Sequence, residues 1–259
     1  MIFDQLFKIM HVLNMGILNK FKFILNFNKQ IQFEPLLYYK KLFSTSTISY
    51  DSISNQNVKV YKHQHITLIS LNRPEEKNIL NLATVGDLKK AILNYENDCS
   101  STIAVLYGEG GSFCAGMEPE ELVIEQIYHD LLQTHCHKPI IAAVSGFAYD
   151  IGFDLCLWCD MRIVEENTIM AINRKSDKSK SNIFLKRLLS TVGYSRTMDL
   201  FLTGRDINSK EAFECGLANR IVACGSSVGQ AVNMAFNIGK FPQQAIIHER
   251  NVIHEIISK

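Results

Sequence analysis

The run Lys138 to Leu155, KPIIAAVSGFAYDIGFDL, constrains this chain more than any other segment. Ile140 to Val144 are apolar without interruption, as in a strand covered on both faces. Ser145 and Gly146 then turn the chain into a helix that carries a carboxylate, Asp154, about one turn in. The first N–H groups of a helix have no intrahelical acceptor, so a turn of this kind can hold an oxyanion. Upstream, GEGGSFCAGM (Gly108 to Met117) makes a second glycine-rich turn between a strand and a helix. Two such turns can each supply one N–H to the same oxygen.

The rest of the chain from Asn57 alternates strands and helices. Val58 to Tyr61 and Ile66 to Leu71 read as strands, with His63-Gln64 as a hairpin turn. Leu82, Val85, Leu88, Ala91, Ile92 and Tyr95 recur at helical spacing. Ile103 to Tyr107 is a second continuous apolar run, Glu118 to Gln133 reads as a helix, and Met161 to Val164 as a strand. This rhythm predicts an α/β fold with helical layers on a largely parallel sheet. No internal repeat is legible.

Composition narrows the function classes. With 259 residues, 47% of them hydrophobic, the chain can bury a sizeable core. A net charge of +1 gives no argument for nucleic acid or an anionic membrane surface. Seven cysteines without a paired framework argue for a reducing compartment. Cys156 and Cys159 spell CxxC, but on a buried helix without a second pair they read as core, not as a metal or redox site. His135-Cys136-His137 reads as a surface turn.

Residues 1–50 carry lysines at 8, 20, 22, 29, 40 and 41 against only Asp4 and Glu34, and close on Ser44-Thr45-Ser46-Thr47. A basic, acid-poor, amphipathic start of this kind reads as a mitochondrial (matrix) transit peptide. The absence of arginine leaves a disordered extension as the other reading. No run reaches the roughly 18 apolar residues of a membrane span.

Three segments, SFCAGMEPEEL, KPIIAAVSGFAYDIGFDLCLWCD and GYSRTMDLFLTGRDINSKEAFECGLANRIV, resemble the enoyl-CoA hydratase/isomerase (crotonase) superfamily, closest to a hydratase-like branch found in animals. The resemblance implies a crotonase-like core of ββα turns wound into a spiral (51–190) and a helical C-terminal region (191–259) that builds a homo-oligomer, trimer or hexamer. It implies an acyl-CoA thioester as substrate, with coenzyme A as part of that substrate and no separate cofactor or metal. The oxyanion donors by motif position are the amides of Met117 and Ile151. Asp154 stands where hydratases carry a glutamate, and either shuttles a proton or simply charges the first turn of its helix. Lys77, Asn78 and Ala115 are the positions implied for the coenzyme A moiety.

Departures from the family pattern accompany these matches. Ile151 and Asp150 replace glycines, and a β-branched residue at Ile151 is strained if that position requires positive φ. Counting without gaps, the second family acid falls on Asn173, and residues 173–182 read as a polar, cationic solvent loop. Trp158 reads as core, and Arg187 and Arg196 as salt-bridge or subunit-contact residues. The segment after Pro242 is short for the family, which leaves the acyl pocket more open. Two functions stay open: an enoyl-CoA hydratase/isomerase-like enzyme with a single carboxylate, and a catalytically degenerate acyl-CoA-binding or oligomer-partner protein.

Overall fold

The computed structural model describes residues 57–118, 128, 130–132, 136–172 and 181–258. The segment 1–50 read as a transit peptide, most of the helix expected over Glu118 to Gln133, and Asn173 with the rest of the loop expected up to Lys180 lie outside the described residues.

The main sheet has six strands in the order β1-β2-β3-β4-β6-β9. β1 (Val58–His63) and β2 (Ile66–Leu71) form an antiparallel hairpin. The hairpin turns one residue later than the sequence predicts, at Gln64 and His65, and Gln64 takes φ 55°. β3 (Ile103–Gly108), β4 (Ile140–Val144), β6 (Met161–Glu165) and β9 (Arg220–Val222) then add in parallel. β4 is buried at every position, as its apolar run demands.

A second sheet, β5-β7-β8, consists of β5 (Phe147–Tyr149), β7 (Ile169–Ala171) and β8 (Ile207–Asn208). Its strands of two or three residues carry no period that a sequence can show. It begins directly after β4 and hands the chain to the helix that bears Asp154.

Helix α1 (Leu82–Asn97) crosses from β2 to β3 and buries Val85, Leu88, Ala91, Ile92 and Tyr95. Asn81 caps its start by accepting from Thr84 N at 2.9 Å. At its other end the Lys138 ammonium donates to the carbonyls of Tyr95, Asp98 and Ser101 (2.7–3.0 Å), where a cation suits the helix dipole. Helix α2 (Ile151–Trp158) is buried from Gly152 onward. Its C-terminal end is held by the buried Arg162 guanidinium, which donates to Cys156 O, Cys159 O and Leu217 O. Every cysteine is a free thiol, and Trp158 is core.

The C-terminal region is helical: α3 (Asn182–Thr203), α4 (Ser209–Glu214), α5 (Ser227–Ile238) and α6 (Gln243–Ser258). Ser181 and Asn182, read from sequence as the end of a solvent loop, instead open α3: the Ser181 hydroxyl accepts from Phe184 N at 3.1 Å. The boundary expected at 190/191 falls within α3, close to a break at Gly193 (φ 76°, ψ 170°). α6 is held by Asp160, whose carboxylate accepts from Arg250 Nε (2.7 Å), meets His254 Nε2 (3.2 Å), and accepts from Ile140 N (2.8 Å). Burial pushes the Asp160 carboxyl up, but His254 and Arg250 more than offset it and the group sits below its usual range. No helix among the described residues is long and apolar enough to cross a membrane.

Candidate active site

The ribbon from Cys114 to Glu118 organises the site, because two other segments pair with it. On one side Cys114 N donates to Phe147 O and Tyr149 N to Cys114 O, both 2.9 Å, a parallel bridge between Cys114 and Ala148. On the other, Ala115 N donates to Lys77 O (3.0 Å), Leu80 N to Gly116 O (2.9 Å) and Glu118 N to Leu80 O (2.9 Å). In that last pairing Leu80 bonds to the residues flanking Met117, so the Met117 N–H points away from Leu80. Met117 lies three residues beyond the Cys114–Ala148 bridge, and Ile151 lies three residues beyond it on the parallel partner. Both amides thus follow the same bridge at the same sequence offset.

Ile151 is the first residue of α2, where an N–H has no intrahelical acceptor. The first intrahelical bond runs from Asp154 N to Asp150 O (3.0 Å), and Asp150 makes no side-chain cap. Among the described residues neither the Met117 nor the Ile151 amide meets a backbone acceptor. The peptide after Ile151 is fixed by the Tyr128 hydroxyl, which donates to Ile151 O at 2.8 Å. Gly152 is obligatory: a Cβ there would lie 2.2 Å from Cys114 O, so the helix can approach the ribbon only with no side chain.

The strain anticipated at Ile151 falls one residue earlier. Asp150 has φ 51° and ψ −106°, outside the left-handed helical well, whereas Ile151 has no positive φ. Asp150 N is held by Ala171 O at 2.8 Å. Its carboxylate is near enough to Cys114 to add to burial, which pushes that thiol up to about 12. A negative group therefore stands beside the turn.

Asp154 is only 4% exposed and faces Arg187, Nη1 to Oδ1 3.4 Å. Arg187 also donates from Nη2 to Leu132 O at 2.6 Å. Burial lowers the Arg187 pKa, and Asp154 pushes it back up. Tyr128 is buried nearby, its phenol held well above its usual range by burial and then by the Asp154 charge. The sequence left Arg187 as a salt-bridge or subunit-contact residue and did not identify Asp154 as its partner. Arg196, by contrast, pairs with Glu211 at 2.5 Å, away from this group.

Of the positions assigned to coenzyme A, Asn78 has its side chain engaged within the fold. It is 1% exposed; its amide donates to Ser112 O (2.6 Å) and Glu109 O (2.9 Å), and its Oδ1 accepts from Arg73 N (2.8 Å). Both ends of the side chain are thus engaged in tying residues 73–78 to the turn at 109–112. Lys77 is exposed, with its ammonium 4.9 Å from the Phe147 ring centroid. Ala115 is half-buried, bonded through its N–H to Lys77 O. Met117, Ile151, Asp154, Lys77, Asn78 and Ala115 all lie on the ribbon or on segments that leave it.

Known proteins resemble this chain in sequence and in fold. The sequence model of the family described as enoyl-CoA hydratase/isomerase matches residues 61–255. A probable mitochondrial enoyl-CoA hydratase of Dictyostelium discoideum is 26% identical over 230 residues, covering 85% of this chain and 79% of that protein. A probable enoyl-CoA hydratase of Rhizobium meliloti is 29% identical over 218 residues, covering 78% and 82%. Among solved structures, an enoyl-CoA hydratase of Bacillus anthracis superposes with a TM-score of 0.74 at 28% identity, over 79% of this chain and 84% of that one. The chain belongs to the enoyl-CoA hydratase/isomerase family and has its crotonase fold.

Proposed function

We propose that this member of the enoyl-CoA hydratase/isomerase family binds an acyl-CoA thioester and holds its carbonyl oxygen between the Met117 and Ile151 amides. Asp154 then serves as the single acid/base. One observation carries this reading: two amides that meet no backbone acceptor among the described residues follow one parallel bridge at the same sequence offset, one of them on the helix that bears a buried carboxylate. Donors fixed before the reaction favour the charge that develops on the oxygen as the thioester becomes an enolate. In hydration, Asp154 takes a proton from water as the water oxygen bonds to the β-carbon. The electron pair of the double bond moves to the thioester oxygen, and the proton is returned at the α-carbon. In isomerisation the same carboxylate removes a proton from one carbon of the acyl chain and returns it to another.

The exposed Lys77 ammonium supplies a cation for the nucleotide end of coenzyme A, while Asn78 keeps its loop in place. Coenzyme A enters as part of the substrate. Exposed Leu189, Tyr194 and Leu202 on α3, and Val252, Ile253, Ile256 and Ile257 on α6, suit a homo-oligomer, trimer or hexamer. The basic, acid-poor segment at 1–50 and the mitochondrial relative support import into the mitochondrial matrix.

A second reading, acyl-CoA binding without turnover, is favoured by Asp150: a carboxylate on a positive-φ residue beside the oxyanion turn opposes enolate charge. Incubating the chain from residue 50 onward with a panel of saturated and unsaturated acyl-CoA thioesters, with products followed by mass spectrometry, separates the two. A hydrated or isomerised product that disappears in Asp154→Asn is expected. Bound but unchanged thioester in both proteins would establish the second reading.

A further inference from the structure

We infer that Arg187 is a positioning residue for Asp154, holding that carboxylate ionised and in one orientation so that the site begins its cycle as a base. The inference rests on the acid/base role proposed above and adds the element that sets it.

The geometry forms a closed circuit. Arg187 Nη1 faces Asp154 Oδ1 at 3.4 Å, and Nη2 donates to Leu132 O at 2.6 Å. The segment of Leu132 also carries Tyr128, whose hydroxyl donates to Ile151 O at 2.8 Å. Ile151 and Asp154 lie one turn apart on α2. A single guanidinium thus links the base to the segment that fixes the peptide of an oxyanion donor.

Stability gives little reason for such a pair. The first turn of a helix already favours a carboxylate. Two side chains of matched volume without charge are often as stable in a core as a buried ion pair, which must shed the water of both ions. Asp154 and Arg187 are nonetheless both largely buried, with side chains 6% and 19% exposed. An aspartate, one methylene shorter than glutamate, has less reach and gains more from being aimed. An adjacent cation favours the ionised carboxylate, the form that accepts a proton. The arginine fork also fixes direction, which a lysine point charge does not.

The test is exchange of the α-protons of a saturated acyl-CoA in deuterium oxide, followed by mass spectrometry as a function of pH. This partial reaction needs only the oxyanion donors and one base. Wild type, Asp154→Asn, Arg187→Lys and Arg187→Met are compared, with acyl-CoA affinity measured on each. Exchange is expected in wild type and absent in Asp154→Asn. Its acid-side limb is expected to move upward by about one pH unit or more in Arg187→Met, because the carboxylate loses its cation. In Arg187→Lys the limb is expected to return close to wild type, while the plateau rate stays about 10- to 100-fold low at unchanged affinity, because charge is kept and aim is lost. An Arg187→Met limb that coincides with wild type would overturn the inference and leave the acid/base role of Asp154 standing. No exchange in wild type would overturn both. If Arg187→Met does not fold, Arg187→Lys decides: a plateau equal to wild type means that Arg187 does not aim the base.

Discussion

Two turns meet at this site, and they handle unfavourable backbone in opposite ways. In the turn at 73–78, Lys77 (φ 52°) and Asn78 (φ 57°) both take positive φ, and Lys77 sits in the left-handed helical well, an allowed conformation that costs a non-glycine residue about 1–2 kcal/mol. Around them the bonding is dense: the Asn78 side chain makes three hydrogen bonds and its N–H a fourth, and the Arg73 guanidinium is shared among Ile79 O, Glu118 and Glu76. In the turn at 145–152, Asp150 takes positive φ outside that well, and its side chain does not cap the helix it precedes. Next to it are two amides that meet no backbone acceptor among the described residues, and a buried ion pair. The first turn is stabilised in itself. The second holds strain that folding alone does not favour, of the kind found where a site is pre-organised, as the proposed function requires of this turn.

Substitutions can break or sharpen this contrast. The largest effect is expected from Gly152→Ala, since the added Cβ meets the Cys114 carbonyl and must push the start of α2 off the ribbon. Displacing the Ile151 amide removes one oxyanion donor, so α-proton exchange should fall about 100- to 1000-fold. An unchanged rate would mean that the two amides do not act together. Asn78→Ala comes next. It strips partners from two carbonyls and one amide, and should lower the unfolding free energy by about 3 kcal/mol in a denaturant titration. Little change would remove the claim that this turn is self-sufficient.

Asp150→Gly is expected to act in the other direction. Relief of about 1–3 kcal/mol of strain, less about 0.5–1 kcal/mol for the added freedom of glycine, leaves a net stabilisation of about 1 kcal/mol. The same change removes a carboxylate from the oxyanion turn, so exchange should rise as well. Loss of stability would show that the strain assigned to Asp150 is absent. Lys77→Met should have the smallest effect. It removes a cation over the Phe147 ring worth about 0.5–1 kcal/mol at an exposed site. Acyl-CoA affinity should weaken modestly while the melting temperature barely moves.

How much of this was legible in the sequence depended on what each residue's role leaves in its neighbours. β3 and β4 were readable because strands covered on both faces must be apolar throughout, and α1 because its buried face repeats at 3.6 residues. A helix start and a glycine turn in the sequence imply free N–H groups, but it was the resemblance to the family that put Met117 and Ile151 forward among them. The second sheet was not foreseen, since β5, β7 and β8 are too short to show alternation. The role of Asn78 was hidden because its carbonyl partners lie 31 and 34 residues away, and a buried asparagine looks the same in sequence as an exposed one. Arg187 was read as a salt-bridge or subunit-contact residue, yet its partner 33 residues upstream on a different helix could not be identified. The positive φ fell on Asp150, not Ile151, because α2 begins at Ile151 and the chain must reverse just before it.

The most direct test of the central claim reads the carbonyl itself. A saturated acyl-CoA carrying carbon-13 at the thioester carbonyl, bound to the wild-type chain, would be observed by infrared difference spectroscopy. Two amides converging on the oxygen weaken the carbonyl bond, so its stretch should shift to lower frequency than in water, and the shift should shrink in Gly152→Ala. A bound thioester whose carbonyl absorbs as it does in water would mean that Met117 and Ile151 do not form an oxyanion hole.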